Sequence, residues 1–207
     1  MTLAYSGIEV ELREVFLKEK PDAMLLASPK GTVPVLLLTD GTVIDESLDI
    51  MFWALRQADP DRWLSEKLAT RTISMIDEND TVFKANLDNY KYWQPHSEFS
   101  RQHYRGEAEN FLKGLERKLE QQSFLLSPTI TLADIAIFPF IRQFAFVDKT
   151  WFDQAPYPLL QGWLKSMIES SLFSRVMGKQ PFWKENAGRK GGKVADTNTL
   201  FDSNLPT

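Results

Sequence analysis

Cysteine is absent from this chain of 207 residues. Its absence excludes disulfide bonds, thiolate metal sites and a thiol nucleophile within the sequence. Only two histidines are present, His96 and His103, and they are too few to predict a metal site built from imidazole ligands. We interpret each histidine as a solvated side chain and expect no bound metal.

Long apolar runs and an excess of positive charge are also lacking. No apolar stretch approaches the roughly 18 residues that indicate a membrane-spanning helix, so we expect no membrane segment. The net charge of −4 and the lack of a basic stripe argue against a surface for nucleic acid. The N-terminal sequence MTLAYSG has neither the basic start nor the apolar middle of a signal peptide, which indicates a cytoplasmic protein.

The composition is typical of a soluble globular protein, with 43% hydrophobic and 25% charged residues. A chain of this length can bury a core in one or two domains. Residues 59–62, a polar stretch that contains Pro60, predict a linker between a first domain, residues 1–58, and a second, residues 63–186. Hydrophobic residues then thin out and glycines appear, so we expect a loosely packed tail over residues 187–207.

Residues 30–47 carry the strongest local signals in the chain. The apolar run 35–38 predicts a buried strand, the Asp-Gly pair at 40–41 predicts a hairpin turn, and residues 42–44 predict the return strand. Pro34 is expected at the first position of the strand, because a proline there removes no donor from the middle of the ladder. The sequence therefore predicts a β-hairpin at this point.

The two ends of this hairpin have the residue types of a ligand site. A cis Val33-Pro34 bond would leave the N–H and C=O groups of Val33 open to pair with an extended peptide. Glu46 and Ser47 open a helix that is expected to run to about Gln57, and a helix N-terminus favours a bound carboxylate. The alternative interpretation is a capped hairpin-helix unit with an edge proline and no ligand.

Beyond the linker the sequence predicts helices packed on helices. Apolar residues recur with helical spacing over 64–92, 100–121 and 156–177. Thr131 followed by Asp134 predicts a capping box, in which each side chain accepts a hydrogen bond from the other residue's backbone N–H group. The helix that follows is apolar on nearly every face, so it should be buried all round. We interpret Thr131 and Asp134 as folding determinants, with a catalytic role for Asp134 as the alternative.

Val33-Pro34, the hairpin and Glu46-Ser47 occur in an order and spacing that resemble the glutathione S-transferase family. The resemblance implies an α/β part followed by an all-α part: a thioredoxin-like N-terminal domain and an all-helical C-terminal domain. In that family the residue before a cis-proline pairs with the cysteinyl backbone of glutathione, and a Glu/Gln-Ser pair holds its γ-glutamyl group. The matching positions in this chain are Val33, Glu46 and Ser47. The resemblance also implies that Pro34 sets the shape of the loop and that Lys30 is a candidate to bind the glycyl carboxylate.

The resemblance further implies that the first strand and the active-site loop of the thioredoxin-like domain are missing from this chain. Tyr5 and Ser6 are suitable residue types for activating a thiol, but they lie at the wrong end of the first helix, which is expected to end at Gly7. We therefore assign no catalytic residue. A second short helix is predicted over Pro21–Ala27, with Pro21 at its first position.

The segment Ile8–Phe16 is rich in β-forming residues and is predicted to be a strand. With the family's first strand missing, we expect this strand to move into the vacated place and to pair with the segment Pro34–Leu38. Two alternatives remain. A second chain could donate an edge to the open sheet, or the first 30 residues could be loosely held.

The resemblance implies a cytoplasmic homodimer that binds glutathione as cosubstrate, together with an unknown small electrophile or disulfide. The thiolate of glutathione would be the nucleophile. We expect a glutathione transferase-like protein whose activating residue is missing from this chain, as if its start had been set at an internal methionine. The alternative is a non-catalytic protein-interaction module of the same fold, of the stringent starvation protein type. A thiol reductase would require a cysteine.

Overall fold

The computed structural model describes residues 1–183, so the predicted tail over residues 187–207 lies outside the described part of the chain. The first part of the chain contains three helices and one β-hairpin. These elements are α1 (Thr2–Tyr5), α2 (Asp22–Ala27), β1 (Leu36–Leu37), β2 (Val43–Ile44) and α3 (Ser47–Gln57). Gly7 has a φ of +67° just after α1, and the N–H group of Ile8 donates to the carbonyl of Leu3 at 2.9 Å. This bond is typical of a helix that ends on a left-handed glycine.

The second part is helical throughout. Its elements are a 3₁₀ helix (Glu66–Leu68), α4 (Ala69–Glu78), a π-helical segment (Asn79–Phe83), α5 (Lys84–Lys91), α6 (Arg101–Leu119), α7 (Leu132–Val147), α8 (Lys149–Gln154), α9 (Pro158–Ile168) and α10 (Ser171–Val176). The region 64–92, which was predicted as one helix, forms an unbroken helical run over residues 66–91 whose geometry changes from 3₁₀ to α, then π, then α again. Among residues 1–183, no helix is both long and apolar enough to cross a membrane.

Helices α6, α7, α8 and α10 begin at residues whose side chains cap them. The hydroxyl of Ser100 accepts a hydrogen bond from the N–H group of His103 at the start of α6. Pro158 occupies the first turn of α9, where its missing N–H group costs no helical bond. In α2, Pro21 is the residue before the helix rather than its first residue. The short helix α8 was not predicted.

The predicted strand over Ile8–Phe16 is wrong. The only β-type contact of this segment within the described residues is an isolated parallel bridge between Glu14 and Phe182, and the N–H group of Trp183 donates to the carbonyl of Glu14 at 2.7 Å. Leu12 and Phe16 are 59% and 45% exposed. Burial of one face specifies the register of a strand. No residue of Ile8–Phe16 is fully buried, so burial does not fix the pairing of this segment with the sheet.

The core of the molecule lies almost entirely in its second part. Before Ile50, the only buried residues are Thr2 and Ser28. From Ile50 onward, one continuous cluster of buried side chains joins α3 to α9, and α7 contributes ten of its residues to the buried set. The helical part thus contains most of the core, and Leu55 of α3 belongs to the same cluster.

One aromatic pair fixes the junction between the two parts. The rings of Tyr5 and Trp63 stack with their centroids 3.5 Å apart and their planes 9° from parallel. The hydroxyl of Tyr5 donates to Oδ1 of Asp59 at 3.0 Å and accepts from the N–H group of Asp61 at 2.6 Å. Leu132, the first residue of α7, donates its N–H group to the carbonyl of Trp63 at 3.0 Å. Helix α1, the linker and α7 are therefore tied together.

Candidate functional site

The β-hairpin brings the start of α3 back toward the loop that precedes β1. Leu36 pairs with Ile44 and Leu37 with Val43 in antiparallel register. Gly41 has a φ of +89°, a backbone conformation that residues with a Cβ rarely adopt. Glycine adopts it readily, which allows the tight turn. The loop from Ser28 to Pro34 therefore lies beside residues 45–47.

Val33 lies in this loop with its main chain open. The Val33-Pro34 peptide bond is cis, and the side chain of Val33 is 48% exposed. Among residues 1–183, neither the N–H nor the C=O group of Val33 has a hydrogen-bond partner. Pro34 lies two residues before β1, so it is outside the ladder rather than at the first position of the strand as predicted.

Helix α3 begins without a side-chain cap. Glu46 is the residue before the first turn, and its carbonyl accepts from the N–H group of Ile50 at 3.0 Å, but no side chain bonds to the first N–H groups of the helix. The N–H groups of Ser47, Leu48 and Asp49 thus have no acceptor within the described residues. Free N–H groups and the positive end of the helix dipole make such a terminus suitable for an anion.

A small charged cluster lies immediately before this helix. The ammonium group of Lys30 donates to Oε1 of Glu46 at 2.6 Å and to Oδ1 of Asp45 at 3.1 Å, and the hydroxyl of Ser28 donates to Oδ2 of Asp45 at 2.7 Å. The hydrogen bonds to Glu46 and Asp45 raise the pKa of Lys30. The hydrogen bonds from Ser28 and Lys30 lower the pKa of Asp45. Both groups are therefore held in their charged forms.

Two of the five candidate binding residues are thus in direct contact. Lys30 and Glu46 form an ion pair, Val33 and Pro34 lie in the same loop as Lys30, and Ser47 follows Glu46 as the first residue of α3. Ser28 was not a candidate, although it orients Asp45 beside this pair. No local pattern identifies it, since 17 positions separate the two residues in sequence.

Tyr5 and Ser6, the two hydroxyl residues near the N-terminus, are bonded to the linker. The hydroxyl of Ser6 donates to the carbonyl of Ala58 at 2.7 Å, and the hydroxyl of Tyr5 bonds to Asp59 and Asp61. Burial is the largest cause that raises the pKa of Tyr5, and the Asp59 carboxylate adds to it. Because the O–H group of Tyr5 already donates to Asp59, it is not available to donate a hydrogen bond to a thiolate.

Thr131 and Asp134 lie in the second part of the molecule and form a capping box at the start of α7. Oδ2 of Asp134 accepts from the N–H group and the hydroxyl of Thr131 at 2.9 and 2.8 Å. Its Oδ1 accepts from the N–H group of Leu125 at 2.9 Å and from the indole of Trp163 at 3.0 Å. Burial raises the pKa of Asp134, while these four hydrogen bonds oppose that shift. Because Asp134 is fully buried, it cannot contact a substrate.

Potential metal ligands are scattered through the chain. Within residues 1–183, no three histidine, aspartate or glutamate side chains come together in a group that could hold a metal ion. The carboxylates nearest the candidate site, Asp45 and Glu46, are both bonded to Lys30. The single ammonium group of Lys30 is therefore shared by two carboxylates, and these three groups together carry one net negative charge.

Comparison with known proteins assigns both parts of the chain to one family. Residues 1–63 match the family model for the glutathione S-transferase N-terminal domain, and residues 98–166 match the one for the C-terminal domain. Between them these two ranges cover more than half of the chain. No curated protein sequence matches it.

Solved structures of glutathione transferases superpose on most of the chain. A ternary complex of BphK, a bacterial enzyme of this family, has a TM-score of 0.72 at 21% identity over 84% of this chain and 88% of its own. The transferase URE2P6 from Phanerochaete chrysosporium, in complex with oxidized glutathione, has a TM-score of 0.71 at 21% identity, with 84% and 86% covered. Glutathione S-transferase-I bound with lactoylglutathione gives 0.68 at 18% identity, with 84% and 89% covered.

These likenesses confirm the fold class predicted from the sequence, a thioredoxin-like part followed by an all-helical part. At sequence identities of 18–21%, the likeness to these structures shows the fold alone. The two domain matches go further, because each falls on the corresponding part of this chain. The chain belongs to the glutathione S-transferase family.

Proposed function

We propose that this protein binds glutathione at the start of α3 and presents its thiol for attack on an electrophile or for thiol transfer. One observation carries the proposal: the first N–H groups of α3 are uncapped beside the Lys30–Glu46 ion pair, in the part of the fold that matches the family's N-terminal domain. The open main chain of Val33 lies in the adjoining loop. A peptide with a free carboxylate and a free ammonium group suits this combination of charges.

Each candidate residue has a chemical role in this proposal. The N–H groups of the first turn and the hydroxyl of Ser47 would bind the γ-glutamyl carboxylate, as the dipole of α3 favours negative charge there. Glu46 would accept from the γ-glutamyl ammonium group. The N–H and C=O groups of Val33 would pair with the cysteinyl backbone, with Pro34 holding the loop.

Lys30 is the weakest of these assignments. The glycyl carboxylate lies at the opposite end of glutathione from the γ-glutamyl group, whereas the ammonium group of Lys30 contacts Glu46, the residue assigned to the γ-glutamyl end. To reach the glycyl carboxylate, Lys30 would have to give up its bonds to Asp45 and Glu46. We therefore regard orienting Glu46 as its main contribution to this site.

The proposal assigns no catalytic residue. A thiolate is the nucleophile in such chemistry, and positive charge near the thiol lowers its pKa. Tyr5 is not assigned to that task because its hydroxyl already donates to Asp59 and accepts from the N–H group of Asp61. The electrophile or disulfide that would accept the thiolate is a small molecule of a class that this site does not define.

Calorimetric titration with reduced glutathione tests the binding step. We expect binding by the unaltered protein, and we expect Ser47→Ala and Glu46→Gln each to weaken it about tenfold or more, since each removes a hydrogen bond to a charged group worth about 1.5–3 kcal/mol. Ser74→Ala, at an exposed α4 serine whose side chain makes no hydrogen bond within residues 1–183, is the matched control and should leave the affinity unchanged. Absence of binding by the unaltered protein would refute the proposal.

A non-catalytic protein-interaction module is the second candidate, and the exposed apolar surface of the first 50 residues favours it. Leu26 is 84% exposed, Leu37 is 60% exposed and Leu17 is 54% exposed. Exposed apolar side chains in such number commonly mark a surface that another protein covers. Retention on immobilised glutathione separates the two candidates, because a module without a glutathione site should wash through.

The same apolar surface is consistent with a homodimer, which together with a cytoplasmic location forms part of the proposal. Light scattering during size-exclusion chromatography measures the mass directly. A dimer has twice the mass of the 23.8 kDa chain. If the mass is that of one chain at all protein concentrations, the protein is not a homodimer, and the exposed apolar surface would bind a different partner.

A further inference from the structure

A cavity of about 310 Å³ lies where the chain beyond α10 returns to the segment between α1 and α2. Its lining combines three aromatic side chains with one proline and one acid: Phe16, Glu19, Pro21, Phe182 and Trp183. We call it the Phe16–Phe182 cleft. Its volume lies at the lower end of the range in which proteins bind small molecules.

Backbone hydrogen bonds hold the two walls of the Phe16–Phe182 cleft in place. Glu14 forms a parallel bridge with Phe182, and the N–H group of Trp183 donates to the carbonyl of Glu14 at 2.7 Å. The N–H group of Glu19 donates to the carbonyl of Phe16 at 2.9 Å and closes a turn that brings Glu19 into the lining. Because the two walls come from opposite ends of the described chain, no local sequence pattern indicates this cleft.

Two phenyl rings form a corner of the cleft. The ring centres of Phe16 and Phe182 lie 5.6 Å apart, and the ring planes make an angle of 61°. The two residues are 45% and 58% exposed, so much of their ring surface is open to a ligand. The face of an aromatic ring carries partial negative charge and attracts a cation that lies over it.

A cation of the chain itself already lies over the third ring of the cleft. The guanidinium of Arg13 is 4.9 Å from the ring centre of Trp183. Both carboxylate oxygens of Glu11 accept from this guanidinium, each at 2.9 Å, and so match its charge. Arg13 and Glu11 together are therefore neutral, and they leave the net charge of the cleft to its own lining.

Glu19 is the only charged residue in that lining. Within residues 1–183, no cationic side chain lies within ion-pair distance of its carboxylate. Apart from the indole N–H group of Trp183, Glu19 also has the only polar side-chain group in the lining. The cleft is thus an aromatic surface with one negative charge.

We propose that the Phe16–Phe182 cleft binds a quaternary ammonium group, such as the trimethylammonium group of choline. The positive charge lies against the phenyl rings and near the Glu19 carboxylate. A primary ammonium group has three N–H donors, and a lining with one acceptor side chain leaves some of them without a partner. A quaternary ammonium group has no N–H donor to satisfy. The cleft shares no residue with the proposed glutathione site.

The test is a titration of the full chain, labelled with ¹⁵N, with choline chloride at constant ionic strength, and with the uncharged isostere 3,3-dimethyl-1-butanol in parallel. We expect choline to shift the backbone amide signals of Phe16 and Phe182 and the indole N–H signal of Trp183 in a saturable way. Choline should bind at least about fivefold more tightly than the alcohol, because only choline carries a charge for the rings and for Glu19. Equal binding of the two probes would overturn the proposal, and so would the absence of saturable shifts at these three groups with millimolar choline.

Two variants separate the contributions of the ring and the carboxylate. Phe182→Leu keeps an apolar side chain but removes the ring, so it should weaken choline binding about threefold or more and change binding of the alcohol by less. Glu19→Gln should weaken choline binding about twofold or more. Glu107→Gln, at an exposed α6 position whose side chain makes no hydrogen bond within residues 1–183, makes the same change of net charge and should have no effect.

The variants also show when the proposal is wrong. A folded Phe182→Leu protein that binds choline as tightly as the unaltered protein would contradict it. Equal affinity of the Glu19→Gln and Glu107→Gln proteins for choline would contradict it as well. Glutathione binding should be the same in all three variants, so that failure of this site and failure of the glutathione site are distinguishable.

Discussion

Asp134 joins three separate segments of the helical part through one buried carboxylate. Thr131 donates to it from the turn before α7, Leu125 from the preceding loop and Trp163 from α9. Each donor is buried and would lose its only strong acceptor if the carboxylate were removed. Asp134 therefore acts on the fold rather than on a substrate.

Removal of this carboxylate should strongly destabilise the protein. We expect Asp134→Ala to lower the free energy of unfolding by about 3 kcal/mol or more, because it leaves several buried donors without an acceptor. Urea denaturation followed by circular dichroism measures the change. Asp77→Ala is the control, since the Asp77 side chain is exposed and makes no hydrogen bond within residues 1–183, and it should change stability by less than about 0.5 kcal/mol.

Tyrosine ionisation gives a second prediction. Burial is the main cause that raises the pKa of Tyr5, Tyr90 and Tyr157, and Tyr157 also donates to Glu109 at 2.7 Å. In the unfolded chain a phenol ionises near pH 10. The stability that these three groups contribute is therefore fully present below about pH 10 and is lost progressively as the pH rises above it.

Phenolate absorbance measured against pH, in native buffer and in urea, tests this prediction. Only part of the signal of the five tyrosines should appear near pH 10 in the native protein, whereas all of it should appear in urea. Tyr157→Phe should leave that early native part unchanged. Complete ionisation near pH 10 while the circular dichroism stays native would show that the three phenols are not held in their protonated forms.

Glycine is needed in the turn of the hairpin but not inside the long helix α6. Gly41 has a φ of +89° in the turn between β1 and β2, where the N–H group of Thr42 also bonds to the Asp40 carboxylate. Gly106 lies inside α6 with no other atom close to the position that a Cβ would occupy. A methyl group is therefore costly at the first position and harmless at the second.

Alanine at these two positions should change stability in opposite directions. We expect Gly41→Ala to destabilise the protein by about 1–2 kcal/mol, because a residue with a Cβ is strained at positive φ. Gly106→Ala should stabilise it by about 0.5–1 kcal/mol through its higher helix propensity. Urea denaturation of both variants tests the pair, and a shift of both midpoints in the same direction would be inconsistent with the described turn.

Elements whose signals are local were predictable from the sequence. The Asp-Gly turn, the Ser100 cap and the Thr131–Asp134 spacing each involve residues within a few positions of one another. The π-helical segment had no such signal in the sequence; it packs against α6, and its Asn79 side chain is buried. The strand expected at Ile8–Phe16 failed for the opposite reason, since its local propensity is not supported by the full burial of any of its residues.

The contacts that complete the candidate site and the domain junction join residues far apart in sequence. Ser28 bonds to Asp45 across 17 positions, and Tyr5 bonds to Asp59 across 54. Periodicity and capping rules cannot reach across such separations. The positions of Val33, Glu46 and Ser47 could be proposed from sequence, whereas the ion pair of Lys30 with Glu46 became visible only in the structure.

In the molecule as a whole, a well-packed helical part carries a first part in which no apolar side chain before Ile50 is fully buried. The buried cluster begins at α3, and α3 also provides the proposed glutathione site at its other end. The hydrophobic residues of this helix, Ile50, Ala54 and Leu55, are buried. The start of α3 is therefore held by the core even though the hairpin before it buries little.

The most direct test of the central claim is a titration with reduced glutathione in which the backbone amide signals of Val33 and Ser47 are followed by NMR. Both amides should shift with one common dissociation constant as the ligand pairs with the loop and the start of α3, while the amide of Arg142 stays in place. If millimolar glutathione moves neither Val33 nor Ser47, the start of α3 is not a glutathione site, and the chain shares the family's fold without this binding function.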